Sequence, residues 1–534
     1  LHKEPSTQKK SIQAPVKLLL QFVIFVLAVT SIVLLSINLF SKYVSAKSSY
    51  LSGNYLVYSG TDSKVLGMTS DSSEINVNFG ERTTTSSPLV FGGAQMPDTK
   101  GNLVWDLLSE VGMTSVRKDF FLEYSLPNIP LREYQQNKNG IADPSNWKTT
   151  FINGLNDGFK NATKRNMKSI GIVSYAPPWL THNKTQYGLP VDWATYEDIV
   201  KKLYRIHRDN LDYVEIWNEP SYRIFLQPEG SGFDRESAYL QIFSHATKAL
   251  REVDSQINDG KRIKIGGPID HKSDSYVMLN KILSDDYAKN NLDFISFHHY
   301  GPNPPNFSPW RSILKQSSLS HLPIFVTEWN YSPDVKSNAP ELVSTEAIPF
   351  TGKILTNFIK EGIGGANYYS IFSLDTQFKT PGHGNLAFYK VENGVTTLLP
   401  QSKTWKLLSK TLALGSGEAE IFSTNAQYDV PAVAFKNIKG QYGLSVTNSS
   451  TNTEEFVVHL SDMPFSGFVT AEAFVASSLN EGIYPVSSTT IPITLGKSSY
   501  TVLAPPQSVI GIVFKQSGQA SYRLDTLLRK LYQL

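Results

Sequence analysis

The sequence predicts an α/β fold, a (β/α)₈ TIM barrel followed by a C-terminal β-sandwich, with an N-terminal transmembrane segment ahead of them. Three observations carry this. Apolar strand-like runs alternate with amphipathic helical segments over residues 88–413. The period then changes to short alternating strands over 414–515. Residues 18–40 form an apolar run of about 23 residues, enough to span a bilayer.

Composition narrows the field. With 534 residues, 40% hydrophobic content and a net charge of +3, the chain is an ordinary globular protein with room for a large core. No Lys/Arg stripe interleaves with aromatics, which argues against nucleic acid as a partner. The absence of cysteine removes disulfide and thiol chemistry but does not argue for the cytosol. Aromatics are generous, at 26 Tyr and 8 Trp, which suits sugar stacking and large cores equally.

Residues 1–17 form a cytoplasmic tail in this reading. Lys3, Lys9, Lys10 and Lys17 lie there, and the positive-inside rule then sends the rest of the chain outward. The alternative is secretion after signal cleavage, since Val44-Ser45-Ala46 resembles a small-residue cleavage site. The apolar core is longer than the usual ~7–15 residues of a signal, which favours an anchor. Residues 41–73, rich in Ser, Gly and Tyr, form a linker. The segment 74–87 alternates like a half-buried strand and is assigned to the β-sandwich.

Barrel strands are expected near 89–94, 114–118, 169–175, 213–219, 263–267, 294–300, 324–328 and 366–371. Helices fall between them, at 103–111, 193–207, 236–253 and 342–361, with a last one at 402–413. A doubly wound sheet is the rival, but Gly92-Gly93 does not make the Gly-rich phosphate turn it needs. Without that turn no dinucleotide chemistry is expected, and no cofactor is called for. After the sandwich, leucines at 524, 527, 528, 531 and 534 predict a C-terminal amphipathic helix over 516–534.

Two apolar runs end in a glutamate: Val214-Glu215-Ile216-Trp217-Asn218-Glu219-Pro220 and Val326-Thr327-Glu328-Trp329-Asn330. Pro220 cannot donate to a strand ladder, so the strand should stop where Glu219 sits. Glu219 then closes the fourth strand and Glu328 the seventh, on the C-terminal face where barrel enzymes build their sites. Strands four and seven oppose one another in an eight-membered ring, so the two carboxylates can meet across its mouth. Such a pair suits the breaking of glycosidic bonds. Glu215 shares Glu219's strand parity but sits deeper, and is read as a buried structural carboxylate paired with Arg117 or Lys264.

The sixth strand adds His298-His299-Tyr300, with His298 and Tyr300 on one face. Adjacent histidines facing opposite ways make a poor ligand set, so no metal is expected. Tyr300 is read as a donor to the nucleophilic carboxylate. Arg117, at the end of strand two, would keep Glu328 ionised. Trp179 and Trp329 are candidates to stack on sugar faces, with core packing as the alternative for each.

These motifs resemble the clan of retaining glycosidases on (β/α)₈ barrels. Within it the chain most resembles glycoside hydrolase family 39, with which Gly266-Gly267-Pro268 and the trailing β-domain agree. The resemblance covers roughly residues 74–515 and implies a retaining glycoside hydrolase acting on extracellular poly- or oligosaccharide. By position it makes Glu219 the acid/base, Glu328 the nucleophile, and Asn218 the partner of a sugar 2-hydroxyl, with His298 and Tyr300 lining the site. Activities similar to the family's are those of β-xylosidases, α-L-iduronidases and exopolysaccharide endoglycosidases. The same pair would serve a transglycosylase, and an inactive glycan-binding protein on the barrel is the reading from another class. The membrane segment departs from the secreted and intracellular xylosidases.

Overall fold

The computed structural model describes residues 72–96, 102–334, 339–374, 387–392, 395–415 and 417–516, together with 55–56 and 337. The proposed tail 1–17, the apolar run 18–40, most of the linker 41–73 and the leucine-rich stretch after Gln516 lie outside the described residues. Among the described residues no helix is long and apolar enough to cross a membrane. Everything described from residue 72 onward belongs to one compact unit, Leu56–Leu534.

Eight parallel strands close into a barrel. They are β1 (Gly92–Ala94), β2 (Ser115–Asp119), β3 (Lys168–Val173), β4 (Tyr213–Ile216), β5 (Lys264–Asp270), β6 (Phe294–Tyr300), β7 (Ile324–Asn330) and β8 (Gly365–Tyr368). Strands of such a barrel are covered on both faces, by the interior and by helices, which explains why their sequences run apolar. All seven residues of β7 are buried. Leu89, Ile170, Phe294 and Phe325, with Tyr213 against them, plug the lower interior. Polar side chains take over above this plug.

The surrounding helices are fixed by ordinary end chemistry. Asp192 accepts from Ala194 N at the start of Trp193–His207, and Asp234 accepts from Ser237 N at the start of Arg235–Ile257. Gly362 closes Ala347–Glu361 with a left-handed φ of 59°. The predicted helix over 342–361 is in fact two, Pro340–Val343 and Ala347–Glu361. Close approach explains the Gly266-Gly267 pair on β5. A Cβ on Gly266 would strike the Phe294 ring, and one on Gly267 would lie 2.6 Å from the Tyr239 hydroxyl.

Beyond the barrel, the strand Ser73–Ser86 pairs antiparallel with Ala419–Ala426 and parallel with Glu454–Ser461. The C-terminal strands continue from it as one hydrogen-bonded sheet rather than the two separate sheets of a sandwich. Its two arms nevertheless share a core: Val458 and Val502 of one arm join Ile491, Ala471 and Ile512 of the other in a single apolar cluster. Trp405 and Leu407 of the helix Gln401–Leu412 pack with Val509, Val513 and Phe474, tying the sheet to the barrel.

Candidate active site

Six polar side chains converge inside the upper barrel. Arg117 points inward from β2 and is 1% exposed. Its Nε donates to Glu215 Oε2 at 2.6 Å and its Nη1 to Glu328 Oε1 at 2.8 Å. Tyr300 donates to Glu328 Oε2 at 2.7 Å. His298 Nδ1 lies 2.7 Å from Glu219 Oε1 and 3.5 Å from Glu328 Oε2, while its Nε2 is 3.4 Å from Arg117 Nη2. A carboxylate oxygen of Glu219, a ring nitrogen of His298 and a carboxylate oxygen of Glu328 all lie within 4.8 Å of one another.

Two backbone irregularities bring the glutamates together. On β7, Val326 pairs with Phe297 but Glu328 pairs with His298, so Thr327 is an extra residue. Strict alternation from the inward Phe325 would aim Thr327 into the barrel and Glu328 out. The bulge re-aims Glu328 into the mouth. At β4 the strand ends at Ile216, three residues earlier than the pattern predicts. Trp217 at φ 70° and Glu219 at φ 44° then leave the extended region, the latter directly before Pro220. Such conformations are costly for residues other than glycine and are held here by the surrounding fold. Trp217 is fully buried and donates to Phe225 O at 2.7 Å. Period-two parity therefore does not connect Glu215 to Glu219. Of the two bases considered for Glu215, Arg117 is its partner.

The electrostatics follow from burial and the shared guanidinium. Burial would lower the Arg117 pKa, but Glu215, Glu328 and Asp119 outweigh it, so this cation is held more firmly than usual. Burial also pulls His298 down, yet Glu328 and the bond to Glu219 prevail and raise it. Burial, then Glu328, push Tyr300 well above the usual phenol range, so it stays a donor. The Glu219, His298 and Glu328 set has the atoms of a metal site. Arg117 already donates to Glu328 and would repel a cation there.

The other predicted residues separate. Asn218 is half-buried at the rim and donates to Tyr175 Oη at 3.1 Å. Trp179 is half-buried on the turn Pro178–Leu180, its ring 5.7 Å from Tyr134. Trp329 is a correction: it points away from the mouth and is fully buried, stacked 6.0 Å from Trp405 and edge-on to Tyr368 at 5.1 Å. It cannot stack on a sugar. The same bulge that turns Glu328 inward turns its neighbour Trp329 into the core.

Sequence reasoning missed Tyr175, Asp270 and His271. Asp270 ends β5, fully buried, with the Ser221 side chain beside its carboxyl. Burial lifts its carboxyl to about 7. His271 accepts from or donates to Ser221 Oγ through Nδ1 at 2.8 Å. The available signal was the polar pair Asp270-His271, one residue beyond Gly266-Gly267-Pro268, at the C-terminal end of a barrel strand.

Comparison with known proteins agrees with this architecture. Residues 178–413 match the sequence profile of Glycosyl hydrolases family 39, a stretch that carries Glu219, His298, Tyr300 and Glu328. No curated protein matches the sequence. Among solved structures, a glucosidase from Croceicoccus marinus is 12% identical with a TM-score of 0.62, covering 84% of this chain and 100% of that one. A GH39 enzyme from Xanthomonas axonopodis pv. citri is 14% identical at a TM-score of 0.56, covering 86% and 100%. A GH30 endoxylanase from Clostridium papyrosolvens C71 is 14% identical at 0.55, covering 83% and 100%. At these identities the structural likenesses speak for the fold. The resemblance to family 39 rests on the profile match.

Proposed function

We propose that the protein is a retaining glycoside hydrolase that cleaves O-glycosidic bonds of extracellular poly- or oligosaccharide by double displacement. The observation that carries this is the approach of Glu219 and Glu328 carboxylate oxygens to within 4.8 Å in the barrel mouth. Retaining enzymes hold the two carboxyl groups about 5–5.5 Å apart, whereas inverting enzymes leave about 6.5–9.5 Å for a water.

In this mechanism Glu328 attacks the anomeric carbon while Glu219 protonates the departing glycosidic oxygen. A covalent glycosyl ester on Glu328 forms as the leaving sugar departs. Glu219, now a carboxylate, takes a proton from water, and that water displaces the ester and regenerates both groups. Arg117 and Tyr300 each occupy one Glu328 oxygen, which fixes the nucleophile's orientation. His298 Nδ1 holds Glu219 at 2.7 Å and lies 3.5 Å from Glu328. Asn218 and the half-buried Trp179 are assigned to substrate binding. No step calls on a metal or cofactor.

The apolar run 18–40 supports a membrane anchor with the catalytic body outside. Protease treatment of intact cells tests this: digestion of the body supports it, and protection contradicts it. For the activity itself, wild type and Glu328→Gln are compared on a glycan and glycoside panel. Products from wild type and a loss of about 10³-fold or more in the variant are expected. Undiminished turnover in the variant would remove Glu328 as nucleophile.

A further inference from the structure

The loop that carries Glu219 also presents an aromatic ring with one face supported and the other open. Tyr222 is 41% exposed. Its backbone N donates to Glu219 O at 2.9 Å, and Phe225 N donates back to Tyr222 O at 3.0 Å, so the ring sits one tight turn from the acid/base. His271 stacks beneath it, centroids 5.2 Å apart and planes 16° from parallel. Ser221, next to Tyr222 in the chain, holds the imidazole at 2.8 Å and fixes its plane. The Tyr222 hydroxyl makes no hydrogen bond among the described residues.

Tyr222 is also one end of a belt. Its ring meets Phe225 edge-on at 5.7 Å, Phe225 stacks on Tyr175 at 6.2 Å, and Tyr175 contacts Phe121 at 6.0 Å. Phe121 in turn meets Tyr124, which is 47% exposed, at 5.0 Å. The belt runs from the loop after β4 past the end of β3 to the loop after β2, and two exposed tyrosines stand at its ends. A proton donor stands on the leaving-group side of the bond it cleaves, so a platform one turn from Glu219 belongs to that side.

We propose that Tyr222, backed by His271, is the stacking platform for the sugar on the leaving-group side of the cleaved bond, and so selects glycan chains over single glycosides. This rests on the acid/base role proposed for Glu219. An open apolar face near a proton donor suits a pyranose ring, whose C–H face packs on aromatics while its hydroxyls stay in water.

The test compares wild type, Tyr222→Ala and Tyr222→Phe on two substrates of the sugar that the glycan panel identifies. One is an oligosaccharide; the other is the glycosyl fluoride, whose leaving group is too small to reach Tyr222. In Tyr222→Ala, kcat/KM on the oligosaccharide should fall about tenfold, the scale of one lost aromatic contact. Turnover of the fluoride should be unchanged, which also shows that the variant folds. Tyr222→Phe, which keeps the ring, should match wild type on both. Equal losses on the two substrates, or none on the oligosaccharide, would overturn the inference. Wild type inactive on both would overturn the proposed function, and the inference with it.

Discussion

Arg117 Nη1 lies 2.8 Å from Glu328 Oε1, and the same guanidinium holds Glu215 through Nε at 2.6 Å. One buried cation thus serves two buried carboxylates. Removing it leaves Glu215 without its cation and Glu328 with only Tyr300 and His298, and breaking one such buried pair costs about 3–5 kcal/mol. Arg117→Met should therefore unfold at markedly lower urea concentration than wild type. Arg117→Lys should rescue little, because an ammonium cannot span two acceptors as a planar fork does. Wild-type stability in Arg117→Lys would refute the shared-guanidinium account.

Glu219 and Glu328 should fail differently. A protonating residue matters most when the leaving group is a poor one. Glu219→Ala should lose about 10²–10⁴-fold on a sugar leaving group. On a glycosyl fluoride, which needs no proton for departure, it should lose far less in the first step. Comparable losses on both substrates would assign Glu219 another role.

Asp270 predicts a pH dependence of stability. An unfolded aspartate titrates near 3.8, and burial holds the native group at about 7. Between those values the native state binds a proton that the unfolded state lacks, so stability falls as pH rises through this window. His298 acts in the same direction. Its native pKa is raised, so its contribution is full below the unfolded value of 6.5 and is lost as pH climbs through the native one. Asp270→Asn removes only the first slope. The wild type should lose about 2–3 kcal/mol more than the variant between pH 5 and pH 8, read from urea midpoints. Parallel pH profiles would show that Asp270 is not a buried acid.

Trp329 and Trp179 should also part company. Trp329→Ala opens a cavity beside Trp405 and should cost about 3–5 kcal/mol of stability. Trp179 is only half-buried, so Trp179→Ala should cost less stability and act instead on KM for the glycan. A stable Trp329→Ala variant with raised KM would restore the sugar-stacking reading of that residue.

The barrel was readable because parallel strands covered on both faces leave continuous apolar runs, and those runs alternate with amphipathic helices. The candidate site was readable where a strand carried it straight: Arg117, His298 and Tyr300 all follow simple alternation. It was not readable where the backbone departs from the period. Nothing in Val326-Thr327-Glu328-Trp329 announces the extra residue at Thr327, so Trp329 looked as available to substrate as Glu328. Parity was equally blind to the left-handed Trp217 and Glu219, which separate Glu215 from the acid/base by more than strand depth. Tyr222 escaped notice because its support comes from His271, 49 residues away in sequence.

The central claim is that Glu219 and Glu328 act as a retaining pair. The most direct measurement is the anomeric configuration of the first-formed product, followed by ¹H NMR before mutarotation, on a substrate that the wild type turns over. The account predicts that the product first appears with the configuration of the substrate and equilibrates only later. A first-formed product of inverted configuration would contradict it.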